Sequence, residues 1–380
     1  MAPAYISGVG TTPFGCLPHR SALDLMAHAA QEALDDARMD RSQIDGLLCG
    51  YALTLPHVML STLFSERFAL APSFAQTLQL GGATGGAMIM TARELVRSGA
   101  CRSVLVVAGE NRLSGQSRDD SIQALAQVGD VESEVPNGGS VPAYYALMAS
   151  AYMNETGLSE ADLAEFAVLM RGNAKRHPQA HLREAITVAD VLASKPVATP
   201  LKLLDCCPIS DGAAALIITA DCPGDAPIEI VGAGQAHRHQ HLSAWRDLRV
   251  SGAGEAARRA LDGAGLSLSE INYLAVYDSF TITLAMLLEE IGFAPRGESA
   301  DRLKDGAFSV EGPHPLNTHG GLLSFGHCGV AGGMAHAVEA YRQLADKAGA
   351  RQVQRASHAL VHADGGVMSS HVSLVLARAR

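Results

Sequence analysis

The chain has 380 residues, 48% of them apolar and 18% charged, enough to bury the cores of two domains or of one large duplicated unit. Its 29 Lys and Arg stand against 39 Asp and Glu, a formal net charge of −10 without a long basic run, which argues against nucleic acid or an anionic lipid surface as partner. No basic segment leads into an apolar stretch at the start, and no run of about 18 apolar residues could cross a bilayer, so a cytoplasmic protein without a membrane span is expected. Seven cysteines, an odd number with no C-x-x-C pair, fit free thiols in a reducing compartment.

In chain order, the first element is a β-type run with spaced glycines, Tyr5-Ile6-Ser7-Gly8-Val9-Gly10, followed by a helix through Ala33-Leu34-Asp35. Gly8-x-Gly10 lacks the third glycine and the acidic residue of a dinucleotide fingerprint, so no nicotinamide site is expected. Gly81 to Gly86 open a helix that leads to the apolar strand Ser103–Ala108. The region from about 113 to 200 is polar at first and then reads as helical from Ser140 to Lys175, with Ser159 and Asp162 offering a helix start. It is expected to be an insertion that covers a site. Asp211-Gly212-Ala213 reads as a tight turn before the strand Ala214–Ile218, and Cys206 and Cys207 as packing residues. The polar, small run from Asp221 to Asp225 is the expected boundary, giving an N-terminal half at 1–224 and a C-terminal half at 225–380.

The second half repeats the first. Ala260-Leu261-Asp262 and Ile271 stand 227 positions beyond Ala33-Leu34-Asp35 and Ile44, and Glu229–Gly234 matches Tyr5–Gly10 in pattern. Gly332-Gly333-Met334 corresponds to Gly85-Gly86-Ala87-Met88, each opening an amphipathic helix before an apolar strand, His358–Val361 in the second half. Strands of continuous Val, Ile, Leu and Ala are covered on both faces, so a mixed or largely parallel buried sheet is expected in each half. The run His237-x-His239-x-His241 would put three imidazoles on one face of a strand, but without an accompanying Cys or paired carboxylates it is read as no metal site.

The segments Gly81–Gly86, Leu204–Ala215, Asn317-Thr318-His319-Gly320-Gly321 and Gly326-His327 resemble the thiolase family, most closely its sterol-carrier and lipid-transfer branch. The resemblance spans almost the whole chain and implies a duplicated α/β fold layered α-β-α-β-α. It also implies where the chemistry has changed. Where that family begins a buried helix with Cys-x-Ser-Gly, this chain reads Gly82-Ala83-Thr84-Gly85, so Gly82 is a degenerate nucleophile position and no acyl-enzyme can form there. The second family cysteine falls on Ala363, leaving Asp364 or His362 as substitutes for its acid/base role, and Gly82, Gly365 and Gly366 as backbone of an oxyanion site. His327 matches the family histidine that polarises the thioester carbonyl, and Tyr277, in Tyr277-Asp278-Ser279-Phe280, replaces the family Asn or His.

This combination is similar to that of thiolase-like aldolases, which cut a β-hydroxyacyl-CoA by a retro-aldol step and work with an OB-fold/zinc-ribbon partner. The resemblance implies a coenzyme A thioester as substrate, no covalently bound cofactor, and a homodimer joined through its first halves. His327 would hold an enolate oxygen and Tyr277, its phenol pKa lowered by neighbours, would take the β-hydroxyl proton. Two other functions compete: an acyltransferase or thiolase in which Cys328 has become the nucleophile, and a silent CoA-ester-binding scaffold subunit.

Overall fold

The computed structural model describes residues 2–221, 227–354 and 356–379. The expected boundary at Asp221–Asp225 therefore falls almost entirely outside the described residues. The first half lays down β1 (Tyr5–Thr11), α1 (Ala22–Ala37), β2 (Gly46–Gly50), α2 (Leu60–Phe68), β3 (Phe74–Leu78), α3 (Thr84–Arg97) and β4 (Ser103–Asn111). There follow α4 (Arg118–Ala126), α5 (Val141–Thr156), α6 (Glu160–Ala174), α7 (Val188–Ala193) and a hairpin of β5 (Pro196–Ala198) and β6 (Leu201–Lys202), before β7 (Asp211–Thr219). The second half comprises β8 (Ile228–His237), α8 (Ala253–Ala264), β9 (Tyr273–Val276), α9 (Thr281–Ile291), α10 (Ser299–Lys304), α11 (Gly321–Ser324), α12 (Val330–Leu344), β10 (His358–Gly365) and β11 (Ser370–Arg378).

Nine strands join in the order β3-β2-β4-β7-β1-β8-β11-β10-β9. The two halves of this sheet are linked at β1 and β8 by only two residue pairs, Tyr5 with Glu229 and Ile6 with Ile228. Among the named strands of the described residues, parallel pairing joins β2 with β3 and β4, and β9 with β10. The sheet is thus mixed rather than largely parallel, because β7 and β11 return antiparallel beside β4 and β10.

Helices α3 and α12 lie between the half-sheets and touch strands of both, while α1 and α2 cover the outer face of the first half and α8 and α9 that of the second. This is the α-β-α-β-α layering. Alternation along β4 shows how it arises: Val104, Val106 and Ala108 face the central core, and Leu105 and Val107 face the core under α1. Lying between the half-sheets, α12 buries 14 of its 15 residues, the polar His336, Glu339 and Gln343 among them, so its polar side is covered by protein rather than by solvent.

Three further expectations are corrected. The helical run from Ser140 to Lys175 is two helices, split where Gly157 takes a left-handed conformation (φ +79°) and Ser159 with Asp162 forms the capping box of α6. Asp211-Gly212-Ala213 is not a turn but the start of β7. Asp211 is fully buried there, and its carboxylate accepts the backbone N–H groups of Leu17 (2.8 Å), Leu113 (2.7 Å) and Ser114 (3.0 Å), tying the loops after β1 and β4 to the strand. The three imidazoles also diverge, because β8 ends at His237: that ring bonds Ser370 Oγ, His239 stacks on Trp245, and His241 lies 3.8 Å from Asp130.

The paired glycines have a packing role that repeats in both halves. A Cβ on Gly8 or Gly10 would come within 2.4 Å of Ala33 O or 2.2 Å of Ala29 O on α1; one on Gly232 or Gly234 would come within 2.0 Å of Ala260 O or 2.3 Å of Ala256 O on α8. Each outer helix rests directly on its strand. Gly10→Ala and Gly234→Ala should each lower stability by about 1–3 kcal/mol through overpacking; unchanged denaturation midpoints in both variants would show that the helices can move away freely.

Candidate active site

The chemistry-bearing side chains gather where strands end: Tyr51 after β2, Glu110 and Arg112 at the end of β4, Tyr277 after β9 and Asp364 at the end of β10. Carboxyl ends of parallel strands are where open α/β sheets place their ligands. The amino end of α3 meets the same region, with its partial positive charge.

Gly82, just before α3, is pressed between two groups. A Cβ at this position would lie 2.2 Å from the Tyr277 hydroxyl and 2.4 Å from the Asp364 carbonyl oxygen. No side chain fits, and the phenol of Tyr277 takes up the space into which a nucleophile at residue 82 would project. Gly365 and Gly366 back this arrangement: a Cβ on Gly365 would lie 2.3 Å from Leu80 O, and Gly366 has φ +71° and an amide nitrogen that packs against Gly81.

Tyr277 Oη lies 3.0 Å from His327 Nε2. The Gly329 N–H donates to His327 Nδ1 at 3.3 Å, which leaves the proton of the neutral ring on Nε2 and directs it at the tyrosine oxygen. The Tyr277 O–H is then free to donate outward to a substrate oxygen. Burial holds His327 down to about 3, with the positive charge of Arg112 adding to it. Burial also raises Tyr277 well above 10, and the charge of Asp364 acts in the same sense. The expectation that neighbours lower this phenol is therefore not met. The pair is a neutral imidazole and a neutral phenol, arranged as donors.

The segment 206–210 explains how two distant loops are brought to this distance. Cys207 N–H donates to Ser279 O (3.0 Å), His327 N–H to Pro208 O (3.1 Å) and Ser210 N–H to His327 O (3.0 Å). One extended strip thus binds the Tyr277 loop at one end and the His327 loop at the other. Asp278, fully buried, fixes the approach to His327 by accepting the Leu322 N–H (2.7 Å) at the start of α11 and pairing with His336 Nε2 (3.1 Å).

Asp364 is fully buried; its Oδ2 accepts the Tyr145 hydroxyl at 3.1 Å, and its Oδ1 has no partner among the described residues. Burial raises this carboxyl well above its ordinary value. Tyr145, from α5, also stacks on Phe280 with centroids 4.3 Å apart, so the segment between β4 and β7 supplies a wall of the site. His362 does not take up an acid/base place beside Tyr277: its two nitrogens bond Ser373 Oγ (2.8 Å) and His371 Nδ1 (3.1 Å), away from the Tyr277–His327 pair.

Cys328 is fully buried, and burial together with Glu110 holds it as a thiol well above the ordinary range. Cys206 and Cys207 are likewise raised by burial, Cys206 to about 12. None has the electropositive, open surroundings that produce a reactive thiolate. Glu110 and Arg112 are the polar residues that the sequence reading missed. Both continue the inward-facing parity of Val104, Val106 and Ala108, and charges at that parity beyond an apolar strand were the available signal. Glu110 Oε2 lies 3.7 Å from Arg112 Nε, both side chains being at most 5% exposed. Among the described residues no group of three or more His, Cys, Asp or Glu is arranged to hold a metal ion, and no helix is long and apolar enough to cross a membrane.

Comparison with known proteins places this geometry. Residues 4–221 match the N-terminal domain of thiolase and residues 234–378 the thiolase C-terminal domain-like family. The chain belongs to the thiolase family, and the processing of acyl-CoA thioesters is the chemistry that this membership supports. It is 33% identical to an acetyl-CoA acetyltransferase of Methanothermobacter thermautotrophicus, over 96% of this chain and 97% of that one. It is 30% identical to the 17-hydroxy-3-oxo-4-pregnene-20-carboxyl-CoA lyase of Mycobacterium tuberculosis, over 98% of each. Among solved structures it resembles the Ltp2-ChsH2(DUF35) aldolase with a TM-score of 0.86 and 30% identity, covering 100% of this chain and 98% of that one.

Glu110 offers a test of the electrostatics. Burial pushes its carboxyl from 4.5 up to about 7, with Arg112 opposing. The folded protein then holds a proton that the unfolded chain has already lost, so this group lowers stability progressively as pH rises from 4.5 to about 7. At about 1.4 kcal/mol per unit the loss is about 3 kcal/mol. Glu110→Gln should remove it: the stability of the variant relative to wild type, from denaturant titrations, should grow across that window, and a constant difference would contradict the raised value.

Proposed function

We propose that this protein is a carbon–carbon lyase of the aldolase type, acting on a β-hydroxyacyl-CoA without a covalent intermediate. The observation that carries the reading is the Tyr277 hydroxyl lying against Gly82 and 3.0 Å from His327 Nε2. The place of a nucleophile is taken by a hydrogen-bond donor, and a donor serves an oxyanion.

In the retro-aldol direction the β-hydroxyl proton goes to a base, the electrons of its O–H bond form the carbonyl of the leaving aldehyde or ketone, and the Cα–Cβ pair moves into the thioester as an enolate. Tyr277, backed by His327, donates to the enolate oxygen. Asp364 is the acid/base of this reading. Its charge acts on Tyr277 ahead of any other neighbour's, and a carboxyl raised by burial is a stronger base once ionised. It takes the hydroxyl proton and returns it to Cα, which closes the balance. Tyr277 is thereby a donor rather than the base that the sequence alone suggested. The backbone at Gly82, Gly365 and Gly366 lines the same oxygen site.

The lyase and aldolase relatives support this assignment. The acetyl-CoA acetyltransferase likeness favours acyl transfer, but that route requires a thiolate, and Cys328 is buried and protonated. We further propose a homodimer joined through the first halves, and a heteromeric assembly with an OB-fold/zinc-ribbon protein, supported by the two-component aldolase it resembles. Light scattering should give twice the chain mass at micromolar concentration; a monomer would count against the dimer.

The function is tested by three variants assayed with β-hydroxyacyl-CoA esters. Tyr277→Phe should lower turnover by ~10²–10³-fold, the scale of losing one oxyanion donor, and His327→Ala, which removes the N–H that polarises Tyr277, should lower it by a smaller factor. Cys328→Ala should retain appreciable activity, and no acyl adduct should be found on any cysteine by mass spectrometry. Full activity in Tyr277→Phe with complete loss in Cys328→Ala would overturn the aldolase reading.

A further inference from the structure

Four arginines are buried among the described residues: Arg93, Arg112, Arg171 and Arg351. In three of them the Nε group is hydrogen-bonded inside the protein, to Ile230 O (2.7 Å) from Arg93, to Ser324 Oγ (3.0 Å) from Arg171 and to Glu339 Oε1 (3.0 Å) from Arg351. Arg112 differs. It is 5% exposed, and neither Nε nor Nη2 has a hydrogen-bond partner among the described residues.

Those two nitrogens form one edge of the guanidinium, the edge that grips both oxygens of a carboxylate. Arg351 shows the fit within this same chain, holding Glu339 through Nε and Nη2 at 3.0 Å each. Glu110, the acidic neighbour of Arg112, does not close the fork. Its Oε2 stands 3.7 Å from Nε, beyond hydrogen-bond distance, and is itself unpartnered, because its other oxygen is taken by the Leu53 N–H. A buried guanidinium without acceptors is costly unless a ligand supplies them.

The fork belongs to the active site. Arg112 continues the inward face of β4 beyond Glu110, and Glu110 Oε2 packs against Gly329, two residues from His327. The positive charge of Arg112 is felt at His327, Cys207 and Tyr51, three residues around Tyr277.

We propose that the Nε/Nη2 edge of Arg112 receives a carboxylate on the acyl portion of the substrate, so that the preferred thioester is that of a dicarboxylic acid. The inference rests on the acyl-CoA reading above but not on the reaction proposed there. Two carboxylate oxygens satisfy both open N–H groups, whereas a single carbonyl satisfies one. Glu110, which burial raises to about 7, adds a third donor through Oε2 when protonated, so its carboxyl need not repel the ligand.

The test is binding, measured calorimetrically with pairs of equal chain length: succinyl- against butyryl-CoA, glutaryl- against valeryl-CoA, and adipyl- against hexanoyl-CoA. At least one diacid ester should bind wild-type protein about 10- to 100-fold more tightly than its partner, the scale of charge-assisted hydrogen bonds. Arg112→Gln should erase that preference, and Arg112→Lys, which keeps the charge but loses the fork, should restore only part of it. If Arg112→Gln melts early, the double variant Glu110→Gln/Arg112→Gln, which leaves no lone buried charge, replaces it. Equal binding within every pair, or a preference that survives removal of Arg112, overturns the inference while leaving the aldolase reading intact. Failure of all six esters to bind overturns both.

Discussion

The Tyr277 hydroxyl and the Asp364 carbonyl oxygen leave no room for a Cβ at residue 82, which would lie 2.2 Å from one and 2.4 Å from the other. Ordinary contact would need more than another ångström, and a rigid strand end on one side and a helix start on the other cannot both yield it. A cysteine restored at this position would displace Tyr277 and break its bond to His327. A side chain at residue 82 and the Tyr277 phenol therefore compete for one space. In the proposed reading that space holds a donor in place of a nucleophile.

Dryness then sets the protonation states. Burial dominates the shifts at Tyr277, His327, Asp364, Cys328 and Glu110, and in every case it favours the neutral form. The neutral donors Tyr277 and His327 respond strongly to charge developing on a substrate, because little solvent is present to screen it. Arg112 is the exception, a fixed cation whose best hydrogen-bonding edge is unfilled among the described residues. Its field suppresses protonation of His327, which keeps that ring a neutral donor.

Holding the cluster together falls to groups remote from the chemistry. Segment 206–210 ties the Tyr277 and His327 loops to each other, Asp211 ties the loops after β1 and β4 to β7, and Asp278 anchors the start of α11. These are backbone hydrogen bonds made by extended strips and buried carboxylates. They explain why the run Leu204–Ala215 carries family resemblance without contributing a reactive side chain.

Much of this was legible in the sequence. The duplication is visible because both halves must let an outer helix rest on a strand, which demands glycine at Gly8, Gly10, Gly232 and Gly234 and alanine opposite them. The expectations for Gly82 and His327 rest on residue type at a motif position and need no coordinates. Periodicity also located the main helices and strands, though it could not show that α12 is covered on all sides, since burial depends on what packs against a helix rather than on its own pattern. Tertiary structure alone decided the rest. That Tyr145 meets Asp364 from 219 residues away, that the Tyr277 phenol is raised by burial, and that two nitrogens of Arg112 lack a partner among the described residues are results of packing and desolvation. Those depend on distances between segments far apart in the chain, and local sequence pattern does not encode them.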